Sequence, residues 1–422
     1  MSKKIIAFLM VAMMLVSAAV LASCGNGSNT NNNETDPLLP APTLENFTVP
    51  DDFKIGVICL HDENSTYDNN FIRAIRNVQQ VLGLSDEQVL VKTNVPESSE
   101  CKDAAVEFAK NGCKIVFADS FGHEEHMIAA AQEYPDVQFC HATGTRAHTE
   151  GLSNYHNAFA SIYEGRFLAG IAAGKKLNEM IESGKITADQ AVMGYVGAFT
   201  YAEVISGLTS FYLGAKYVCP SVTMKVRFTG SWYDPAKEKE AAIALIQTDK
   251  CVLISQHADS LGAPTACEDA GVPNISYNGS TIDAGENTFI ISSAINWEPY
   301  YYYIIKQVVE GKAIDTDWTG DIKSGSVVLS GLNKKAAAEG TKEAIDEAIA
   351  KFKAGTLHVF DTATFTVGGA KLESYKADVN YDTAFEPDTE VVKDGYFHES
   401  EYRSAPYFDI MIDGIEFLNK EF

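Results

Sequence analysis

The stretch FKIGVICLHDENSTYDNNFIRAIRNVQQVL, residues 53–82, decides the fold. Lys54 to Leu60 is a short, nearly continuous apolar run of the kind a strand shows when both of its faces are covered. A polar loop follows, and from Asn69 to Leu82 the apolar residues Phe71, Ile72, Ile75, Val78 and Val81 recur at helical spacing. Strand, polar loop and amphipathic helix together make the first half of a βαβ unit.

The same alternation continues downstream. Residues 89–92 read as a strand, 101–111 as a helix, 114–118 as a strand, 123–134 as a helix and 137–140 as a strand. Strands separated by helices of this length build right-handed crossovers and a parallel sheet. The pattern then restarts with a helix at 161–183, a strand at 191–196, a helix at 201–215, a strand at 222–228, a helix at 235–247 and a strand at 251–255. Short strands follow near 275–277 and 289–291. Two consecutive α/β halves predict two doubly wound parallel-sheet lobes with a hinge and a cleft between them. The chain is expected to cross near 155, 292 and 325. Residues 51–155 and 292–325 then form lobe 1, and 156–291 with 326–422 form lobe 2.

The amino terminus speaks to compartment. Lys3 and Lys4 precede an apolar run from Ile5 to Leu21 that ends in Ala22-Ser23-Cys24. This is an export signal over residues 1–23, too short for a spanning anchor. Leu21-Ala22-Ser23-Cys24 resembles the bacterial lipobox, which implies lipidation at Cys24. The stretch from Gly25 to Pro50 is rich in Asn, Ser, Thr and Pro, so it is expected to be a flexible tether.

A formal net charge of −24 argues against a nucleic-acid partner, because phosphates need Lys and Arg. Without Cys24 seven cysteines remain, an odd number that cannot pair completely. Cys59, Cys113 and Cys251 lie in or beside strand-like runs, so buried free thiols are expected in preference to a disulfide framework.

In open parallel sheets, ligands bind beyond the carboxyl ends of the strands. The residues there are Asn64, Tyr67 and Asp68 after the first strand, Ser120 and Phe121 after the third, and Phe199 and Tyr201 after 191–196. The later strands add His257 and Asp259, then Asn278, then Trp297. Rings suit a flat ligand, and Asp, Asn and Ser suit its polar edge. Tyr67 and Trp297 are expected to face each other across the gap and sandwich the solute.

Within the second half the motifs become specific: Val196-Gly197-Ala198-Phe199-Thr200-Tyr201, then Gly207, Phe211 and Gly214-Ala215-Lys216, then Gly230-Ser231-Trp232-Tyr233-Asp234-Pro235-Ala236-Lys237, then Gln256-His257-Ala258-Asp259-Ser260. From about Lys54 to about Gly369 the chain resembles the basic membrane protein family of ABC-transporter substrate-binding lipoproteins, a branch of which comprises purine nucleoside receptors. The resemblance implies a type I periplasmic-binding-protein fold, a lipid-anchored monomer on the extracytoplasmic face, ABC permease subunits as partners and no cofactor. It also implies that Tyr67 stacks on a base and that Asp68 stands for a family Asn. Where nucleoside binders carry an Asp that holds the ribose hydroxyls, this chain has Asn278, and Trp297 stands near a usual Lys. These departures weaken the case for an intact nucleoside and bring in a free purine base or another flat heterocycle. A sugar or other small solute is the alternative.

Other chemistries have weaker signals. His123-Glu124-Glu125-His126 with His141 and His148 offers zinc-type ligands, but acidic residues in a first helical turn have their own electrostatic reason. His257, Asp259 and Ser260 could be assembled into an enzyme, yet the sequence has no Gly-x-Ser-x-Gly elbow, Walker loop or dinucleotide fingerprint. The run Glu298 to Ile305 reads as a helix opened by Pro299, with its tyrosines spread around the axis. The acidic stretch from Leu372 to Tyr402 has no counterpart in the family.

Overall fold

A computed structural model describes residues 34–380, 382–384 and 386–420. The export signal and Cys24 lie outside the described residues. Among the described residues no helix is long and apolar enough to cross a membrane.

The first lobe is built on strands β1 (Ile55–Ile58), β2 (Val89–Lys92), β3 (Ile115–Ala118), β4 (Gln138–Ala142) and β5 (Tyr155–Ala160). Its helices are α1 (Thr66–Leu82), α2 (Ser99–Lys110) and α3 (Glu124–Glu133). Side chains alternate across this sheet: Ile55, Val57 and Phe117 pack with α1, whereas Ile58, Val116 and Phe139 join the opposite layer with α2 and α3. Burial on both faces is why these strands read as continuous apolar runs.

The second lobe repeats the plan. Helix α4 (Ile162–Glu182) leads into β6 (Val192–Gly197), α5 (Ala202–Val218), β7 (Thr223–Phe228), α6 (Pro235–Gln247), β8 (Leu253–His257), α7 (Gly262–Ala270), β9 (Asn274–Tyr277) and β10 (Phe289–Ile295). Helices α4 and α5 lie backbone to backbone, and a Cβ at Gly214 would stand 1.9 Å from the Phe167 carbonyl oxygen. Helix α8 (Glu298–Val309) and β11 (Asp317–Gly320) return to the first lobe, and β12 (Val327–Leu329) and α9 (Thr341–Ala354) to the second. A final strand, β13 (Ile415–Phe417), pairs in parallel with β7.

The six-stranded sheet has the order β11-β5-β4-β3-β1-β2, and the seven-stranded sheet the order β12-β10-β9-β8-β6-β7-β13. Every neighbour pair in these two sheets is parallel except β10 with β12. Two doubly wound lobes are therefore present. Their boundaries differ from the sequence reading: β5 belongs to the first sheet, so the first crossing follows Ala160, and β10 stays in the second sheet to Ile295. Tyr155 to Ala160 alternates weakly because both its faces are buried, and that hid the strand.

Two end segments also differ from expectation. The stretch read as a tether is docked from residue 34 onward. Thr35 N–H donates to Leu332 O at 2.9 Å and Leu329 N–H to Leu39 O at 3.1 Å, along the free edge of β12. A Cβ at Gly331 would lie 1.8 Å from the Thr35 carbonyl oxygen, so a glycine is what lets this strap approach. Leu39 is buried, and Phe47 packs edge-on against Tyr302 of α8, so the strap touches both lobes. At the other end, Ser404 N–H donates to Asp317 of β11 and Thr319 donates to Ser400 O. Part of the region assigned to lobe 2 thus leans on the edge strand of lobe 1.

All seven cysteines among the described residues are buried and unpaired.

Candidate ligand-binding site

The loop after β1 is shorter than the sequence suggested, because α1 begins at Thr66. Ser65 is its N-cap, and the Ser65 side chain accepts from Asp68 N–H. This cap places Tyr67 and Asp68 on the first helical turn, facing the other lobe. Asp68 accepts from His61 N–H at 2.7 Å and from the Ser65 hydroxyl at 2.6 Å. Burial alone would raise the Asp68 carboxyl, but the hydrogen bonds from His61 and Ser65 outweigh it and hold the group below its ordinary value.

Beneath it lies Asp119, fully buried at the end of β3. Burial, then the neighbouring Asp68 charge, pushes its carboxyl well above the usual range. Asp119 accepts from Leu60 N–H at 3.1 Å, and the Tyr67 hydroxyl donates to the Asp119 carbonyl at 2.8 Å. Among the described residues, Cys59, Asp68 and Asp119 form a group with donor atoms within 4.8 Å of one another. Burial pushes the Cys59 thiol far above its usual pKa, which works against a thiolate ligand there.

Two of the four histidines weighed as metal ligands, His123 and His141, bond backbone carbonyls. His123 bonds Val95 O at 3.0 Å and His141 bonds Ser120 O at 2.7 Å. Burial drives both imidazoles down to about 4, so they are neutral donors that pin the strand-end loops.

Across the cleft, β8 ends in His257 and Asp259. Asp259 N–H donates to Trp232 O at 2.9 Å, and the Asp259 carbonyl accepts from Thr66 N–H at 2.9 Å. The free N-terminal N–H of α1 thus clasps the opposite lobe. Burial, then the charges of Asp68, Glu238 and Glu203, raises the Asp259 carboxyl well above its ordinary value. His257 lies 3.5 Å from Glu203 and is lowered by burial.

Between the lobes these elements leave a narrow cavity of about 20 Å³. The first lobe contributes Leu60, His61, Tyr67, Asp68, Ser120, Phe121 and Thr143, and the second contributes Glu203, Trp232, His257 and Asp259. Three carboxylates and no Lys or Arg line it. Its mouth is covered by rings: Phe121 stacks on Tyr201 at 5.1 Å, Tyr201 stacks on Phe199 at 5.0 Å, and Phe199 meets Trp232 edge-on at 5.0 Å. Phe121 is the one ring of the four from the first lobe, so the lobes are in contact and the cleft is closed.

The structure therefore brings Tyr67, Asp68, Ser120, Phe121, His257 and Asp259 together, with Phe199 and Tyr201 over the mouth. Asn64 does not join them; it is exposed and its amide donates to Asp62 at 2.8 Å. Asn278 lies one step behind Asp259 and donates to its carboxylate at 3.5 Å.

Trp297 is the larger correction. It is 1 % exposed and stacks on Phe71 at 4.4 Å, with Phe117, Phe159 and Tyr300 around it. Phe71 stands between it and Tyr67, whose ring meets Phe71 edge-on at 4.9 Å. The expected Tyr67–Trp297 sandwich does not form, because the chain crosses back to lobe 1 at Asn296 and α8 packs Trp297 against α1.

Of the residues the sequence reading passed over, His61, Thr143 and Trp232 sit just after β1, β4 and β7, where the strand-end rule points. Glu203 lies in the first turn of a helix and carried no such signal.

With this geometry in view, comparison with known proteins is decisive. Residues 60–356 match the family described as ABC transporter substrate-binding protein PnrA-like. The chain belongs to that family. This substrate-binding protein is 30% identical to the purine-binding protein BAB2_0673 of Brucella abortus, over 73% of its own length and 83% of that relative. It is 34% identical to a putative ABC transporter glucose-binding protein of Haloferax volcanii, over 54% of each chain. Among solved structures, an ABC transporter solute-binding protein of Aeropyrum pernix superposes with a TM-score of 0.60 at 18% identity, covering 73% of this chain and 93% of that one. One from Conexibacter woesei gives 0.59 at 18% identity, covering 72% and 98%. These two share the fold. Membership of the family makes this an extracytoplasmic receptor for a small solute, partnered by a permease.

Proposed function

We propose that the solute is a purine, taken as free base or nucleoside, and that the interlobe cleft opens to admit it and closes on it for delivery to the permease. The observation that carries this reading is the lining: rings of Tyr67, Phe121 and Trp232 beside the carboxylates of Asp68, Glu203 and Asp259, with no cationic side chain. Aromatic faces suit a flat heterocycle, and carboxylates accept from its ring N–H and amino groups. The same carboxylates repel phosphate, which disfavours nucleotides. The Brucella relative named as purine-binding supports the reading at the level of ligand class. Cys24 is proposed as the lipid anchor, and the protein as a monomer at the membrane surface.

A ligand that binds only the folded state raises its stability by mass action. In a thermal-shift and calorimetric screen, adenine, hypoxanthine and their nucleosides are expected to raise the melting temperature and to be recovered unchanged. The relative named for glucose supplies the competing outcome. Stabilisation by glucose with indifference to all four purines would overturn the proposal.

A further inference from the structure

The wall that the first lobe gives to the cleft carries the hydroxyls of Tyr67, Ser120 and Thr143, and all three protons are spent inside the protein. The Tyr67 hydroxyl donates to Asp119 O at 2.8 Å, the Thr143 hydroxyl to Ala142 O at 2.5 Å, and the Ser120 hydroxyl to Glu97 Oε1 at 2.6 Å. Backbone carbonyls and carboxylates only accept, so the direction of each bond is fixed and each hydroxyl keeps lone pairs alone for a solute. Asp68 adds a carboxylate that its partners hold below its ordinary pKa. The backbone N–H groups of Leu60 and His61 are spent as well, on Asp119 and Asp68. Of the polar side chains this lobe contributes, only the His61 imidazole can still donate. Every one of these bonds lies within the first lobe, so the pattern is the same with the cleft open or closed.

Ser120 is the member of this wall whose polarity another side chain sets. Tyr67 and Thr143 donate to backbone carbonyls, which no substitution removes. Ser120 instead donates to Glu97, an exposed residue outside the lining, and the same Glu97 oxygen accepts the Gly122 N–H at 2.7 Å. A Cβ at Gly122 would stand 2.7 Å from the Glu97 carboxyl carbon, so the glycine is what lets the two loops meet. His141 holds the Ser120 carbonyl from the other side at 2.7 Å.

We propose that Glu97 is a specificity-determining positioning residue: it keeps the Ser120 hydroxyl an acceptor, and the first lobe's wall therefore selects solutes that present amino or ring N–H groups over those that present carbonyl oxygens. Resting on the purine reading, this makes the protein a receptor for amino-substituted purines before their oxo counterparts.

The test is titration calorimetry with adenine and hypoxanthine, which carry an amino group and a carbonyl at the same ring position. The wild type is expected to bind adenine at least tenfold more tightly, because a carbonyl turned to this wall meets lone pairs. Glu97→Ala frees the Ser120 hydroxyl to donate, so hypoxanthine should bind at least fivefold more tightly than it does to the wild type, with adenine changed less than threefold. Damage to the loop would weaken both bases and cannot produce that gain. Glu97→Gln, whose amide oxygen still accepts both bonds, should keep the wild-type ratio within twofold. On a Ser120→Ala background, Glu97→Ala should leave the ratio within twofold, because the hydroxyl through which it acts is gone. Hypoxanthine bound as tightly as adenine by the wild type, an unchanged ratio in Glu97→Ala, a shifted ratio in Glu97→Gln, or the same shift without the Ser120 hydroxyl overturns the inference and leaves the purine reading standing. Failure of the wild type to bind either base overturns the purine reading and the inference with it.

Discussion

Glu399 is the place where a single proton should govern stability. It is 2 % exposed in the carboxy-terminal segment that leans on both lobes: its backbone carbonyl accepts from the Tyr163 hydroxyl at 3.1 Å, and its carboxyl accepts from Tyr407 N–H at 3.2 Å. Burial outweighs the hydrogen bonds from Ser206 and Tyr407 and the nearby Arg403, and raises the carboxyl from 4.5 to about 8. An acid whose pKa is raised on folding binds more protons folded than unfolded, so its contribution is fully present below about 4.5 and is lost as pH rises through about 8. Each pH unit in that window costs about 1.4 kcal/mol, so the full loss is on the order of 5 kcal/mol. Glu399→Gln keeps the shape and the neutral hydrogen-bonding character but cannot ionise. Urea unfolding of the two proteins at half-unit steps from pH 4.5 to 8.5 should give similar stability at the acid end and a variant increasingly more stable toward the alkaline end. A difference between variant and wild type that stays flat across this range would refute the reasoning, since nothing else in the comparison titrates differently.

Three further outcomes follow from the geometry. Trp297→Ala empties a stacked aromatic core and should cost about 3 to 5 kcal/mol of stability. Purine affinity of the variant, measured well below its melting temperature, should stay within threefold of the wild type; a loss of a hundredfold would put the indole back in the cavity. Gly331→Ala places a methyl group against the Thr35 carbonyl. Limited proteolysis should then cut residues 34–47 at least ten times faster, and an unchanged rate would mean the strap is held elsewhere. Phe121→Ala removes the ring of the first lobe from the stack over the cleft mouth. Stopped-flow should show ligand release speeded several-fold with little change in the association rate, and an unaltered release rate would exclude a lid role.

Much of this was legible in the chain itself. Residues 54–82 fixed a buried parallel strand and the helix after it, and repetition of that unit required two sheets. The strand-end rule put Tyr67, Asp68, Ser120, Phe121, His257 and Asp259 on one side, and all six line the interlobe cavity, because a parallel sheet sends every strand's carboxyl end the same way. It failed for Asn64 and Trp297, where sequence adjacency to a strand end says nothing about which way the next side chain turns. Trp297 lies just after β10, yet the chain reverses there and carries the ring into the core of the other lobe. The docked strap escaped notice because its hold comes from backbone hydrogen bonds to the β12 edge, for which its Asn-, Thr- and Pro-rich composition gives no sign.

The sequence by itself determined the alternation of elements, the two lobes, the cleft between them and the family, since each depends on local periodicity or on contiguous motifs. Only the tertiary structure decided which rings line the interlobe cavity, that Asp68 and Asp119 share one buried corner, and that Asn70 meets Asn278 across the lobes. Those contacts join residues as far apart as 208 positions, and the free energy that selects them arises only when both lobes are folded and closed.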